Sequence, residues 1–237
     1  MTRIDLHVHT ALSACGEDVM SPRQVLAHAA RRSVDVLAVT DHNASTSAYT
    51  ACRMAGEFPV RVLPGMEITT REEVHLLAVF DDPEQLHELT ALIEHNLPPG
   101  ENDDTLFGYQ LVYDERDEII GVDDRLRQSA VALGIDRLAS EIHAIGGLAI
   151  PAHVFRPRNS LTSQLGLIDP TSEYDALEVR WRHWATGEYR LGDRVEGFPV
   201  ITGSDAHFLE DVGRQCLELE AVVTGVDSLR QALELPS

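Results

Sequence analysis

The sequence predicts an α/β protein built on a parallel sheet of barrel type, on three observations. Short apolar runs alternate with longer stretches of helical periodicity, the pattern of repeated βα units. A length of 237 residues fits one undivided domain of α/β-barrel size. Histidines and carboxylates recur beside the apolar runs, and the C-terminal ends of barrel strands share one mouth.

The runs RIDLHVH (3–9), VDVLAVT (34–40), VRVL (60–63), VHLLAVF (74–80), GLAIPA (147–152), DALEV (175–179) and PVITG (199–203) read as strands. Ser21-Pro22 opens a helix reaching about Arg32, with proline in its first turn. Further helices are expected over about 44–56, 83–95, 136–145 and 227–234. One stretch, about 97–125, breaks the alternation. Pro98-Pro99-Gly100 and an acidic loop precede Tyr109–Tyr113 and Glu118–Val122, which flank Asp114–Asp117. This reads as a β-hairpin insertion in a single domain spanning 1–237, with a lid and an oligomer contact both open as its role.

Composition narrows the function. The chain is 43% apolar and 24% charged, as an ordinary globular core requires. Its formal charge is −20 and all 19 basic side chains are arginine. Such an acidic chain argues against a nucleic-acid polymer as partner, because that binding depends on neutralising phosphates. Without lysine there is no Schiff base, no P-loop lysine and no carboxylated lysine bridging two metals. No apolar run approaches the roughly 18 residues of a membrane span, so no membrane partner is expected. The N-terminus runs directly into Arg3, Asp5 and His7, leaving no room for a signal peptide. Cys15, Cys52 and Cys216 are odd in number and far apart, which points to a reducing cytoplasm.

The chemistry begins in the first strand. Alternation places Ile4, Leu6 and Val8 on one face and Asp5, His7 and His9 on the other. Two imidazoles two residues apart on a strand face can chelate one metal. Asp41 and His42 follow the second strand, Glu67 the third and His153 the fifth, while Asp205 and His207 follow the last. His75 stands at the start of the fourth strand rather than at its end. Imidazole and carboxylate together suit zinc, manganese or iron. So many ligands exceed the need of one four-coordinate ion.

These motifs, Asp5-Leu6-His7-Val8-His9-Thr10, Thr40-Asp41-His42, Gly65-Met66-Glu67 and Gly203-Ser-Asp-Ala-His207, resemble the PHP (polymerase and histidinol phosphatase) phosphoesterases over essentially the whole chain. The resemblance implies a distorted seven-stranded (β/α) TIM-like barrel, the PHP fold, with two or three divalent metals. By resemblance His7, His9, Glu67 and Asp205 hold one metal, and Glu67 bridges to a second held by His75 and His153. His42 and His207 serve a third, and Asp41 supports a ligand rather than being one. Many relatives place a further ligand where this chain has Ala14, which makes Cys15 and Glu17 the candidate substitutes.

The implied function is hydrolysis of a small phosphorylated metabolite or nucleotide by metal-activated water. His42 or His207, where not bound to metal, could protonate the leaving oxygen. Arg156, Arg158, Arg180 and Arg182 follow strands at the same mouth and are candidate phosphate grips. His183 and Trp184 are candidates for a leaving-group pocket, with packing as the competing reading. His28, His87, His95 and His143 read as structural. Two other classes stay open: an amidohydrolase-type barrel, which also begins with H-x-H, and a non-catalytic metal-stabilised module.

Overall fold

A computed structural model describes residues 1–234. The first half comprises β1 (Thr2–Val8), α1 (Pro22–Arg31), β2 (Val36–Val39), α2 (Thr46–Met54), β3 (Arg61–Thr69), β4 (His75–Val79) and α3 (Pro83–Asn96). Then come α4 (Asp104–Phe107), β5 (Leu111–Tyr113), β6 (Ile119–Val122), α5 (Ile135–Ala144), β7 (Leu148–Pro151) and α6 (Leu161–Gln164). The chain continues through β8 (Leu177–Val179), α7 (Trp181–Ala185), β9 (Arg194–Val195), β10 (Phe198–Thr202), β11 (Leu217–Leu219) and α8 (Val226–Glu234). Each of the seven predicted runs carries a strand, and β3 extends past its expected end at 63 to enclose Glu67.

The helix boundaries follow from capping. Ser21 accepts the Gln24 N–H at 3.2 Å and Pro22 occupies the first turn of α1. Asp82 and Gln85 close a capping box on α3. Both N-terminal devices use groups that would otherwise leave helix N–H donors unpaired.

The sheet is mixed rather than parallel throughout. Its order is β11-β1-β2-β3-β4-β7, with β8-β10-β9 as a second sheet and β5-β6 as a separate antiparallel pair. β1, β2 and β3 run parallel, but β4 runs antiparallel to both β3 and β7. The cause is connection length. A parallel crossover needs a dozen or more residues, whereas residues 70–74 form a tight turn closed by Thr70 N–H to Val74 O at 2.9 Å.

The sheets curl into a half-barrel. Where the strand ladders stop, single backbone bonds carry the curl: His9 N–H to Ala206 O at 3.1 Å, Asp175 N–H to Ala149 O at 3.0 Å and Val154 N–H to Glu178 O at 2.9 Å. In place of the expected seven-stranded barrel, the half-barrel is built from a six-stranded ladder and a three-stranded one.

Two apolar clusters cover the two faces of the sheet. One holds Val25, Leu26 and Ala29 of α1, Leu86, Leu89 and Ile93 of α3, and Leu138 and Ile142 of α5, at the three- and four-residue spacing of buried helix faces. The other holds Ile4, Leu6, Leu77, Val79, Leu148 and Ile150, closed by Leu229 and Leu233 of α8. Each such side chain contributes about 1.5–3 kcal/mol on burial.

The simple alternation expected for β1 fails at one point. Its register against β2 shifts between Asp5 and Val8, so Ile4 and Leu6 join one cluster and Val8 the other. A bulge of this kind re-aims side chains, and here it turns Val8 away from the cluster that holds Ile4 and Leu6. Among the described residues no helix is long and apolar enough to cross a membrane.

Candidate metal centre

Eight of the expected ligands converge on one mouth of the half-barrel. His7 and His9 come from the end of β1, His42 from the residues after β2, and Glu67 from within β3. His75 opens β4, His153 follows β7, and Asp205 and His207 follow β10. The antiparallel pairing of β3 and β4, with Thr69 opposite His75, brings the start of β4 to the same end as Glu67. The position of His75 at a strand start, anomalous in an all-parallel sheet, follows from this reversal. His153 and Asp205 adopt φ of 34° and 50°, a left-handed conformation that costs non-glycine residues energy and clusters at functional sites.

Glu67 sits at the centre. Its Oε1 lies 2.8 Å from His75 Nδ1 and 3.3 Å from both His7 Nε2 and His153 Nε2. Its Oε2 lies 3.2 Å from His9 Nε2 and 3.1 Å from His42 Nδ1. Asp205 Oδ1 is 3.4 Å from His7 Nε2, 3.6 Å from His9 Nε2 and 3.6 Å from His207 Nδ1. Three sets of ligand atoms have metal-binding proximity: His7-His9-Glu67, His42-Glu67-His75 and His9-His42-His207. The third set contains the pair His42 and His207 that the resemblance implied, and the second joins His42 also to Glu67 and His75.

The donor set fits divalent metal by a separate criterion. His42 Nδ1, His153 Nδ1 and Glu67 Oε2 are buried without a hydrogen-bond partner among the described residues. Orphaned buried polar atoms are costly, and a cation shared by His42 Nδ1 and Glu67 Oε2, which lie 3.1 Å apart, removes that cost for the pair. Imidazole nitrogen with carboxylate oxygen suits zinc, manganese or iron.

Buried polar groups behind the ligands orient them. Glu178 accepts from His7 Nδ1 at 2.9 and 3.1 Å and from the His153 backbone N–H at 3.1 Å. Such a carboxylate fixes the imidazole tautomer and turns Nε2 to the metal. Asp41 accepts from the Thr10 N–H, Thr10 Oγ1 and Ser13 Oγ, all at 2.7 Å, and Ser13 Oγ lies 3.0 Å from His9 Nδ1. Asp41 therefore acts on His9 through a serine. Glycine is required at 203, where a Cβ would stand 2.6 Å from Glu178 Oε1 and 3.1 Å from His7 Cβ.

Charge is shared unevenly across the cluster. Burial opposes ionisation of Glu67, yet His75, His7 and His42 hold its carboxyl well below the usual range. Burial likewise opposes the imidazolium of His7, but Glu178, Glu67 and Asp205 outweigh it and raise that group well above its usual range. His9 rises to about 9 against burial through Asp205 and Glu67. Burial pushes His207 down to about 4 and holds His42 well below its ordinary value. Ligation of a metal by His7 and His9 requires release of any proton on the coordinating nitrogen. Burial thus disfavours the charged forms of His42 and His207, which suits a ligand better than a proton donor.

Several expected residues lie elsewhere. Asp5 is buried and accepts from the Ser204 and Gly213 N–H groups at 3.0 Å each. Burial lifts its carboxyl to about 6, and it joins none of the three ligand sets. Glu17 accepts from the Leu209 N–H at 3.1 Å and also stands outside the sets. Cys15 borders the cavity, is exposed and joins none of the three ligand sets. The loop at Ala14 is committed to packing: a Cβ on Gly108 would meet Ala14 O at 2.4 Å.

A cavity of about 410 Å³ opens over His153, Asp205 and His207. Arg156 and Arg180 line it, as does Arg214, which the sequence reading missed. Arg158 and Arg182 are exposed and line none of it. Trp181 and Phe208 supply its aromatic wall, in place of the expected His183 and Trp184. His183 Nδ1 is held 2.6 Å from Glu188. Arg214 lies seven residues past His207, outside every recognised motif. Glu178 lies within a predicted strand, DALEV, where a single buried-strand acid was its only signal.

The PHP domain profile matches residues 5–142, and the profile of a PHP-associated segment matches residues 194–235. An uncharacterized protein of Methanocaldococcus jannaschii is 35% identical over 78 residues, 30% of this chain and 46% of that protein. The chain thus spans less than half of that relative. Its fold is similar to that of a lesion-specific endonuclease Q from Pyrococcus furiosus, at TM-score 0.66 and 16% identity, covering 98% of this chain and 56% of that one. Endonuclease Q in complex with a 27-mer duplex carrying an abasic lesion at its active site matches at TM-score 0.65, 16% identity and the same coverage. A protein from Bifidobacterium adolescentis, assigned as a metal-dependent phosphoesterase, matches at TM-score 0.57 and 18% identity, covering 97% and 95% of the two chains.

The duplex complex corrects the expectation of a small phosphorylated substrate with nucleic acid disfavoured. A net charge of −20 describes the whole surface, whereas an interface responds to the potential beside it. Here that local region carries Arg156, Arg180 and Arg214. On its ordered motifs, its ligand cluster and the profile match over more than half its length, this chain belongs to the PHP family.

Proposed function

We propose that the chain is a phosphoesterase that cleaves a phosphate ester of nucleic acid, with water activated by two or three divalent ions of manganese, iron or zinc. The observation that carries this reading is the set of Arg156, Arg180 and Arg214 around the cavity that exposes His153, Asp205 and His207. In a chain this acidic, cationic forks facing a metal cluster favour an anionic substrate. A guanidinium can hold two phosphate oxygens at once.

Metal supplies charge neutralisation for the ester and a hydroxide-like nucleophile near neutral pH. His7, His9, Glu67 and Asp205 would hold one ion, Glu67 with His75 and His153 or His42 a second, and His207 with His42 a third. Glu178 and Asp41 keep His7 and His9 aimed, and the arginines orient the ester. The same residues support a single PHP-type domain in which segment 97–125 is an insertion beside the mouth, since Phe107 borders the metal residues.

The amidohydrolase-type reading is weaker because no lysine is present to bridge metals. The non-catalytic reading is weaker because the ligands converge. The test is hydrolysis of labelled oligonucleotides with intact, abasic and phosphorylated ends by protein loaded with each metal, beside p-nitrophenyl phosphate and an amide panel. Metal-dependent cleavage of phosphate esters is expected. Cleavage of amides alone, or of nothing under metal-replete conditions, would overturn the proposal.

A further inference from the structure

The metal cavity does not end at the metal ligands. Arg214 and Gln215 line it, and the same two residues line a neighbouring cavity of about 510 Å³. That second space contains none of the clustered ligands. It runs past Trp184, Tyr189 and Arg190 to Arg3. Either space alone is within the usual size of a small-ligand pocket, roughly 300–1,000 Å³. Meeting at Arg214 and Gln215, they trace a groove from the metal cavity to Arg3 of β1 and Glu218 of β11.

The chemistry along this groove alternates. The Arg214 guanidinium lies 5.0 Å over the Trp181 ring, giving a planar cationic surface at the junction. Tyr189 is held by stacking on Phe155, with centroids 5.5 Å apart and planes at 13°. Arg180 and Arg190 form no ion pair among the described residues, whereas Arg214 and Arg3 pair with Asp211 and Glu218 at 2.8 and 3.2 Å. Ion pairs of that exposure are weak and exchangeable. Aromatic rings interleaved with arginine along a groove are the recurring apparatus for a single nucleic-acid strand: rings stack on bases and cations follow the backbone.

We propose that this groove binds the single strand that flanks the phosphate at the metal centre, so that the ligand is a short polynucleotide rather than one nucleotide. The inference rests on the phosphoesterase reading for its polarity but not for its test. A labelled hexathymidylate with phosphorothioate linkages is titrated with the metal-loaded full chain by fluorescence anisotropy, beside the corresponding dinucleotide. The hexamer is expected to bind at least about ten-fold more tightly. Arg190→Glu should weaken hexamer binding about ten-fold, and Arg190→Ala should lower the salt slope by about 0.7, the value per phosphate contact on a single strand. Arg116→Glu, on the hairpin between β5 and β6, serves as a control for net charge and should leave the affinity unchanged. Equal affinity for hexamer and dinucleotide, or an Arg190→Glu variant that binds as well as wild type, overturns the groove. Failure to hydrolyse any phosphate ester would instead remove the phosphoesterase reading, while the anisotropy result still decides the groove.

Discussion

Glu67 and His75, eight residues apart in sequence, meet at 2.8 Å because a tight turn reverses the chain between β3 and β4. One carboxylate is thereby shared among five imidazoles, His7, His9, His42, His75 and His153.

Replacing that shared group should be more damaging than replacing a supporting one. Glu67→Gln is expected to lower metal content by at least one ion and to abolish most activity. Asp41→Asn, which acts through Ser13, should cost about 10–100-fold. Elemental analysis and kinetics on both variants decide the order. A larger loss for Asp41→Asn with metal retained would contradict the central place given to Glu67.

Glu178 provides a second test because it touches His7 without facing the metal side of the ring. Glu178→Ala should weaken metal affinity by about 10–100-fold. Glu178→Gln can still accept from His7 and should recover part of it. Competition against a chelator measures this, and unchanged affinity in both variants would show that His7 needs no such partner.

Gly203 leaves no room for a side chain. Gly203→Ala should cost about 1–3 kcal/mol through overpacking, and the displaced Glu178 should carry metal affinity down with it. Denaturant unfolding of metal-free protein isolates the stability effect. A variant as stable as wild type would mean that the backbone at 203 can move aside.

The arginine assignments separate by position. Arg156→Ala, Arg180→Ala and Arg214→Ala should each raise KM for a phosphate ester, with kcat/KM falling roughly ten- to hundred-fold, the equivalent of about 1.5–3 kcal/mol for a charge-assisted bond. Arg158→Ala should stay close to wild type because that side chain is exposed outside the cavity. A loss at Arg158 equal to that at Arg214 would place the phosphate elsewhere.

The seam between β7 and β8 should be sensitive to acid. Asp175 accepts from His143 Nε2, Arg230 Nε and the Ala149 N–H, all at 2.8 Å. Burial opposes its charge, but His143, Arg230 and that N–H hold the carboxyl below its ordinary 3.8. Its ionised form therefore stabilises the fold fully above about pH 4, and that contribution is lost as pH falls further. Asp175→Asn should lower the denaturation midpoint of metal-free protein at pH 7, and the gap to wild type should narrow below pH 4. A gap independent of pH would assign the effect to packing rather than to charge.

The histidines and acids of the cluster, and the strands that carry them, can be read from the chain's local pattern. His7 and His9 are legible because alternation along a strand is a local property. The Asp41-His42 and Asp205–His207 motifs are legible because they abut apolar runs. Caps such as Ser21-Pro22 are local in the same sense, and α1 begins where they place it. Only the tertiary structure decided how those pieces face each other. The reversal that puts His75 beside Glu67 depends on which strands pair, and the bulge that turns Val8 away from Ile4 and Leu6 depends on the register against β2. Glu178 is one acid in a short strand until the curl brings it under His7. The failed inference about nucleic acid has the same origin: net charge is additive over the chain, whereas binding answers to the few charges that folding gathers at one mouth, and here those are Arg156, Arg180 and Arg214.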